Sequence, residues 1–349
     1  MKIHRSTPLR LTAAALLGAL ALPALADEPS SCTARAKPGD NLQQAIDALP
    51  AGDAPVTLCL AAGEYPLKGL VAIQRDHLTL RGAGPSTVLR MAPDVQQPLL
   101  VVGDYQQQVP RRPITGVTIA DLSLIGAKDV EHEFMPERPY LSNSAVVVRN
   151  GHDVRLTGLH ASQCRSACLL TEQGSRDITL DHNDVSGAVW DGVSFNSTSK
   201  VTMTDNRVHD NVAAGITAEE LRDSQIRDNV LSNNGSQGAY LSNSSGNLFV
   251  GNTFSGNHGA GVFLTCAIRF RNADGSTQCW DNSVSQNNVF DANHFDKDPF
   301  TYTIGVDKSA NCTSASFRPN IWKASNQASA SGVDMDPQRY GYCCLLYTS

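Results

Sequence analysis

Asn183, Asn206, Asn229 and Asn252 stand 23 residues apart. Gly192, Gly215, Gly238 and Gly261 keep the same interval, each nine residues after its asparagine. An apolar–x–apolar triplet follows each glycine: Val193/Phe195, Ile216/Ala218, Ala239/Leu241 and Val262/Leu264. A second pattern precedes the asparagines less evenly, as Ile178/Leu180, Val201/Met203, Ile226 and Phe249. The stretch is poor in charge and rich in Asn, Gly and Ser, which alone would describe a disordered polar tract. Register held over four copies argues against disorder. A fixed period marks a repeat whose copies bury what one copy cannot bury alone.

The period also selects the architecture. Helical solenoids use longer repeats with apolar residues at helical spacing. Here each unit holds short alternating runs, one side chain in and one out, broken by turn residues. Stacked units of this size form a parallel β-helix, each strand paired with its copy one rung above. Equivalent Asn side chains at a bend then hydrogen-bond up the stack, as in cross-β ladders. Asn also tolerates the left-handed backbone of a sharp corner, and the glycine nine residues on adopts it without steric cost. Asn252 to Asn288 is 36 residues, 13 more than a rung, which places an insertion between them.

The first 26 residues read as a secretory signal: Lys2, His4, Arg5 and Arg10, then an apolar run, then Ala24-Leu25-Ala26 as the cleavage site. No later run reaches the length of a membrane span. The expected product is a secreted or periplasmic chain of about 323 residues (349 minus 26). Residues 32–76 read as an N-terminal cap and first turns, 77–305 as the repeats, and 306–349 as an irregular segment whose last ten residues, "YGYCCLLYTS", fit no register. A net charge of −6 argues against a nucleic-acid partner. Nine cysteines in an exported chain favour disulfides over thiols or zinc. Cys32–Cys59, Cys164–Cys168 and Cys266–Cys279, the last bracketing the insertion, are the pairs their positions suggest.

A short amphipathic helix with Asp40 as its N-cap and Leu42, Ala45, Ile46 and Leu49 on one face would plug the open first rung. The strings "GDNLQQAID", "LCLAAGEY" and "LTLRGAGPSTVL" resemble the start of the pectate-lyase-like right-handed parallel β-helix superfamily, and "DNRVHDNVAAGI" and "GNTFSGNHGAGVFL" resemble its generic repeats. The resemblance covers roughly residues 37–305. It implies an all-β, single-stranded, right-handed parallel β-helix, in a superfamily of polysaccharide lyases, glycoside hydrolases, uronate epimerases, tailspikes, adhesins and periplasmic accessory proteins. Fold alone does not choose among these. The Asp-Pro-His-Asp motif of alginate epimerase-like members is not present; "KDPF" at Lys297 and "MDPQ" at Met335 lack the histidine.

In such a coil, outward residues form columns with one member per rung. The strand after each glycine presents Ser194/Asn196, Thr217/Glu219, Tyr240/Ser242 and Phe263/Thr265. Glu219, Asp191, His209 and Asp210 are the candidate acids and bases. Trp190, Thr217, Tyr240, Phe263, His258 and Arg227 are the candidate glycan contacts, since sugar rings stack on aromatic faces while amides and carboxylates take hydroxyls. The plainer reading has the aromatics covering the sheet and Asp191 and Asp210 capping turns. A second candidate is the excursion Ala127–Asn143, with Glu131, His132, Glu133 and Arg138. It lies rungs away from Glu219, so the two compete as sites unless the loop folds over the groove. The "NST" at Asn196, "NGS" at Asn234 and "NSS" at Asn243 read as turn composition.

These features point to a protein that acts on or binds an extracellular polysaccharide or cell-surface glycan. Lyase or epimerase chemistry on a uronate polymer is favoured over hydrolysis, because carboxylate pairs are few. A non-catalytic adhesin or accessory scaffold is the alternative. The sequence fixes no cofactor and no metal ligand set; Ca2+ is the cation that a carboxylate-rich loop would take. It does not decide the oligomeric state.

Overall fold

A computed structural model describes residues 31–266, 268–271, 277–279, 285–305, 318–329, 332–334 and 346–348. Everything below concerns the unit that begins at Cys32. The expected signal sequence and the Cys279 side chain of the expected third disulfide lie outside the described residues.

The chain coils through three parallel sheets. Among the described residues sheet I has twelve strands and sheets II and III ten each. One rung shows the pattern: Ser199–Thr204 in sheet I, Arg207–His209 in sheet II and Ile216–Glu219 in sheet III. Each pairs in parallel with its equivalent 23 residues on, as Val208 with Leu231 and Ile216 with Ala239. Inward positions stack into one continuous apolar core that includes Leu180, Met203, Ile226 and Phe249 of sheet I. Towards the C-terminal end the core becomes aromatic, with Phe254 and Phe295 stacked at 4.7 Å.

The single described helix, Leu42–Asp47, buries Leu42 and Ile46. Its cap is Asn41, whose Oδ1 accepts from Gln44 N, not Asp40 as the sequence suggests. The coil extends beyond residue 305, the expected end of the repeats. Val56–Leu60, Gly63–Leu67 and Val71–Ile73 already supply one strand to each sheet. Beyond residue 305, Asn320–Trp322, Gln327–Ala328 and Gly332–Asp334 continue all three. The Cys32–Cys59 and Cys164–Cys168 disulfides are both formed. Cys266 is also disulfide-bonded.

Asparagine ladders stitch the corners. Asn206 Nδ2 donates to Asn229 Oδ1 at 2.9 Å, and Asn206 N donates to the same oxygen at 3.0 Å. The column continues from Asn252 to Asn293, a step of 41 residues, so the insertion is 18 residues long and not 13. Asn288 belongs to a different column, which receives Asn247. A further column runs Asn211, Asn234, Asn257 and ends on Asp298. The corner conformation departs from expectation. The left-handed residue is the one before each ladder asparagine: His182, Asp205, Asp228 and Gly251, with φ between 55° and 67°. The asparagine is thereby free to turn its amide into the stack. Gly192, Gly215, Gly238 and Gly261 serve close packing. A Cβ on Gly238 would lie 2.6 Å from Phe254 Cδ1 and 2.7 Å from Gly261 O.

Candidate functional site

Sheet III carries a cleft of about 450 Å³ on its outer face. The column Ser194–Thr217–Tyr240 forms its floor, in direct register. Beside it run Glu172, Asn196 and Glu219; Asn196 pairs with Glu219, and Glu172 stands one residue beyond the Thr171–Phe195 pair. Asp191 and Trp190 enter from the turn that precedes the strand Val193–Asn196.

The 127–143 excursion does fold over the groove. Arg165 holds it down, with Nε donating to Val130 O at 2.8 Å and Nη2 to Glu131 O at 3.1 Å. Asn143 Nδ2 adds a bond to His132 O at 2.7 Å. Glu133 and Phe134 therefore line the same cleft as Asp191 and Glu219, and Glu133 accepts from Ser166 Oγ. The two candidate regions are one site. Glu131 and His132 face solvent, and Arg138 lies across the Tyr105 ring at 5.2 Å.

Asp191 sits between Glu219 and Glu133. Its Oδ1 accepts from Ala214 N at 3.0 Å, and it is bonded to the Thr217 hydroxyl. Burial is the main reason its pKa is pushed up to about 6; those two hydrogen bonds oppose the rise and the neighbouring carboxylates add to it. Burial also raises Glu133 and Glu219, the latter with help from Glu220. Glu219 keeps an exposed side chain at the cleft mouth, so water screens it more than Asp191. Trp190 is 47% exposed beside it. Asn196 Oδ1 is buried with no hydrogen-bond partner.

Several candidates fall elsewhere. His209 and Asp210 belong to sheet II and its following turn; His209 is held by Asp210 through Nδ1 and by Asp184 through Nε2. Arg227 is on sheet I. His258 lies in an exposed turn outside the cleft lining. Phe263 is only 2% exposed, its ring 5.4 Å from that of Tyr240, so it supports the floor and offers no open face. Sequence reasoning missed Glu172. Its Oε1 accepts from Arg149 Nε at 2.5 Å, and Arg149 is wholly buried. The remaining guanidinium nitrogens donate to Asp104 O, Gln107 O and Gln108 O, fastening the 103–113 loop beside the cleft.

Strands and ladders together define a right-handed parallel β-helix protein. Residues 137–308 match the NosD family, described as periplasmic copper-binding protein. Three solved structures share the fold. PfbA, a surface adhesin of Streptococcus pneumoniae, is 14% identical with a TM-score of 0.62, covering 82% of this chain and 74% of its own. The catalytic unit of an α-1,3-glucanase from Streptomyces thermodiastaticus is 14% identical with a TM-score of 0.59, covering 88% and 65%. The periplasmic alginate epimerase AlgG is 11% identical with a TM-score of 0.53, covering 87% and 81%. The chain thus spans less than two thirds of the glucanase structure. A search against curated proteins found no match.

The copper in the matched family's description finds no fitting donor set among the described residues. Among the described residues no group of three or more His, Cys, Asp or Glu could hold a metal ion. The described cysteines are tied in disulfides and His209 is engaged by two carboxylates. Among the described residues no helix is long and apolar enough to cross a membrane.

Proposed function

We propose that this chain is exported, binds a neutral glycan in the sheet III cleft and hydrolyses a glycosidic bond there. The observation that carries this reading is the charge of the cleft. Glu133, Glu172, Asp191 and Glu219 line it, with Trp190 and Tyr240, and no Lys, Arg or His is among the lining residues. A uronate polymer brings its own carboxylates and needs a cation to neutralise them, so this cleft would repel it. A neutral sugar instead stacks on the aromatic faces and gives its hydroxyls to the acceptors.

Asp191, poised near pH 6, donates its proton to the glycosidic oxygen as the bond to the anomeric carbon breaks. Glu219, open to water, takes a proton from the water that attacks that carbon. Glu133 helps Asp191 to hold its proton until transfer.

The test is incubation with neutral α- and β-glucans, xylan and mannan beside alginate and polygalacturonate, following new reducing ends and unsaturated uronate product. Reducing ends from a neutral glycan, lost in Asp191→Asn and Glu219→Gln while binding persists, would support the reading. Unsaturated product from a uronate polymer would sink it. Binding of a neutral glycan without cleavage would reduce the site to recognition alone, the role that Trp190 and Tyr240 suit by themselves.

A further inference from the structure

The outward column at the centre of sheet III runs Val101, Val147, Leu170, Ser194, Thr217, Tyr240 and Phe263, in unbroken register. Val101 and Val147 are 0% exposed and Leu170 5%, although all three point away from the coil. They form their own apolar cluster, with Tyr105 of the 103–113 loop packed against it. At the other end Phe263 is covered too. Four rungs, those of Leu170, Ser194, Thr217 and Tyr240, contribute this column to the cleft wall, a length on the order of 15 Å at one rung per ~4.8 Å.

A groove for the interior of a polymer must be open at both ends along the polymer's path. This one is closed at its N-terminal end along the coil axis, where Val101 and Val147 are covered. The N-terminal stop is firmly built, since Arg149 fixes the 103–113 loop and Arg165 the 127–143 loop. Phe134 and Glu133 present the stop to the cleft. The volume is that of a small-molecule site, with room for on the order of two or three sugar rings.

Resting on the glycan reading above, we infer that the cleft receives the end of a glycan chain, or a short oligosaccharide, and not an internal stretch. The specificity-determining elements are the two pinned loops, with Arg165 and Arg149 as positioning residues.

The experiment titrates the intact protein with α-1,3-, α-1,4-, β-1,3- and β-1,4-linked gluco-oligosaccharides of two to eight units by calorimetry. Each is also offered with a bulky benzylidene acetal on its non-reducing end and as an aryl glycoside at its reducing end. The expected result is affinity that levels off by about three units and falls at least tenfold when one particular end is blocked. Affinity that keeps growing to eight units, or that ignores both blocks, overturns the inference while leaving the glycan reading standing. No binding by any probe overturns both. Arg165→Ala supplies an independent arm, with its thermal midpoint checked to show that the coil is intact. Releasing the loop should restore most of the affinity lost on blocking; if a folded variant still discriminates against blocked ends to the full extent, the loop is not the stop.

Discussion

Arg149 Nε donates to Glu172 Oε1, on the next rung, from a position with no solvent exposure. Its other nitrogens hold three backbone carbonyls of the neighbouring loop, and its plane lies 5.0 Å from the Tyr140 ring. One planar fork with five donors thus joins a strand, two loops and the cleft wall.

Arg149→Met should therefore be among the most damaging single changes, costing about 3–5 kcal/mol, because it strands a carboxylate and three carbonyls. Adding Glu172→Gln should recover part of the loss. Urea unfolding of the two variants measures both; a single variant within about 1 kcal/mol of the parent would contradict the clamp.

Asn206→Ala removes an acceptor used by two Asn183 nitrogens and donors to Leu180 O and Asn229 Oδ1. Each stranded buried group costs about 1–3 kcal/mol, so a loss of at least ~2 kcal/mol is expected. Asn326→Ala, at the partly exposed end of the same column, should lose roughly half as much or less. Equal losses at the two sites would mean that the ladder is not the source.

Asp298 ends its ladder as a carboxylate, with Oδ1 taking both Asn257 donors and Oδ2 unpartnered. Burial raises its pKa to about 6. The folded state then binds the proton more tightly than the unfolded chain does. Stability from this group is full at acid pH, falls as pH rises from about 4 to 6, and stays lower above that by on the order of 1–3 kcal/mol. Asp298→Asn should raise the melting temperature at pH 7.5 and change it little at pH 4. Equal shifts at the two pH values would refute the assignment.

The same sign applies to Asp191 as general acid. Its protonated fraction is lost above about pH 6, so kcat/KM should decline there, with a second decline in acid as Glu219 takes up a proton. A rate flat from pH 5 to 8 would exclude Asp191 from the proton transfer.

Gly238→Ala drives a Cβ into Phe254 and the Gly261 carbonyl. Backbone on one side cannot yield, so a cost of about 1–3 kcal/mol is expected. Gly174→Ala, with open space around it but φ of 77°, tests the separate cost of the left-handed backbone.

Much of this molecule is legible from its spacing. Columns of Asn and of alternating apolar residues announce stacked strands, because a coil puts equal positions in equal surroundings. What spacing does not announce is which residue absorbs the corner: His182, Asp205 and Asp228 do, and their side chains share no chemistry with glycine. Nor does it show which sheet an outward residue faces: His209 stands on sheet II, away from Glu219 on sheet III. Glu133 was recognisable only as part of a charged loop, since the bonds that hold the loop down come from Arg165, some 35 residues on in sequence but on the next rung in space. Glu172 was hidden because its rung is one residue longer than 23, which moves it out of the counted register.

The amides of the corner columns all face the same way: Asn206 receives from Asn183 behind it and gives to Asn229 ahead. Every layer thus carries one matched connector on each side, and a duplicated copy of residues 206–228 would find both connectors waiting. A gene can lengthen such a protein by whole modules without redesigning its interior, while novelty is confined to side excursions between strands. The active surface and the scaffold are in this way free to evolve at different rates.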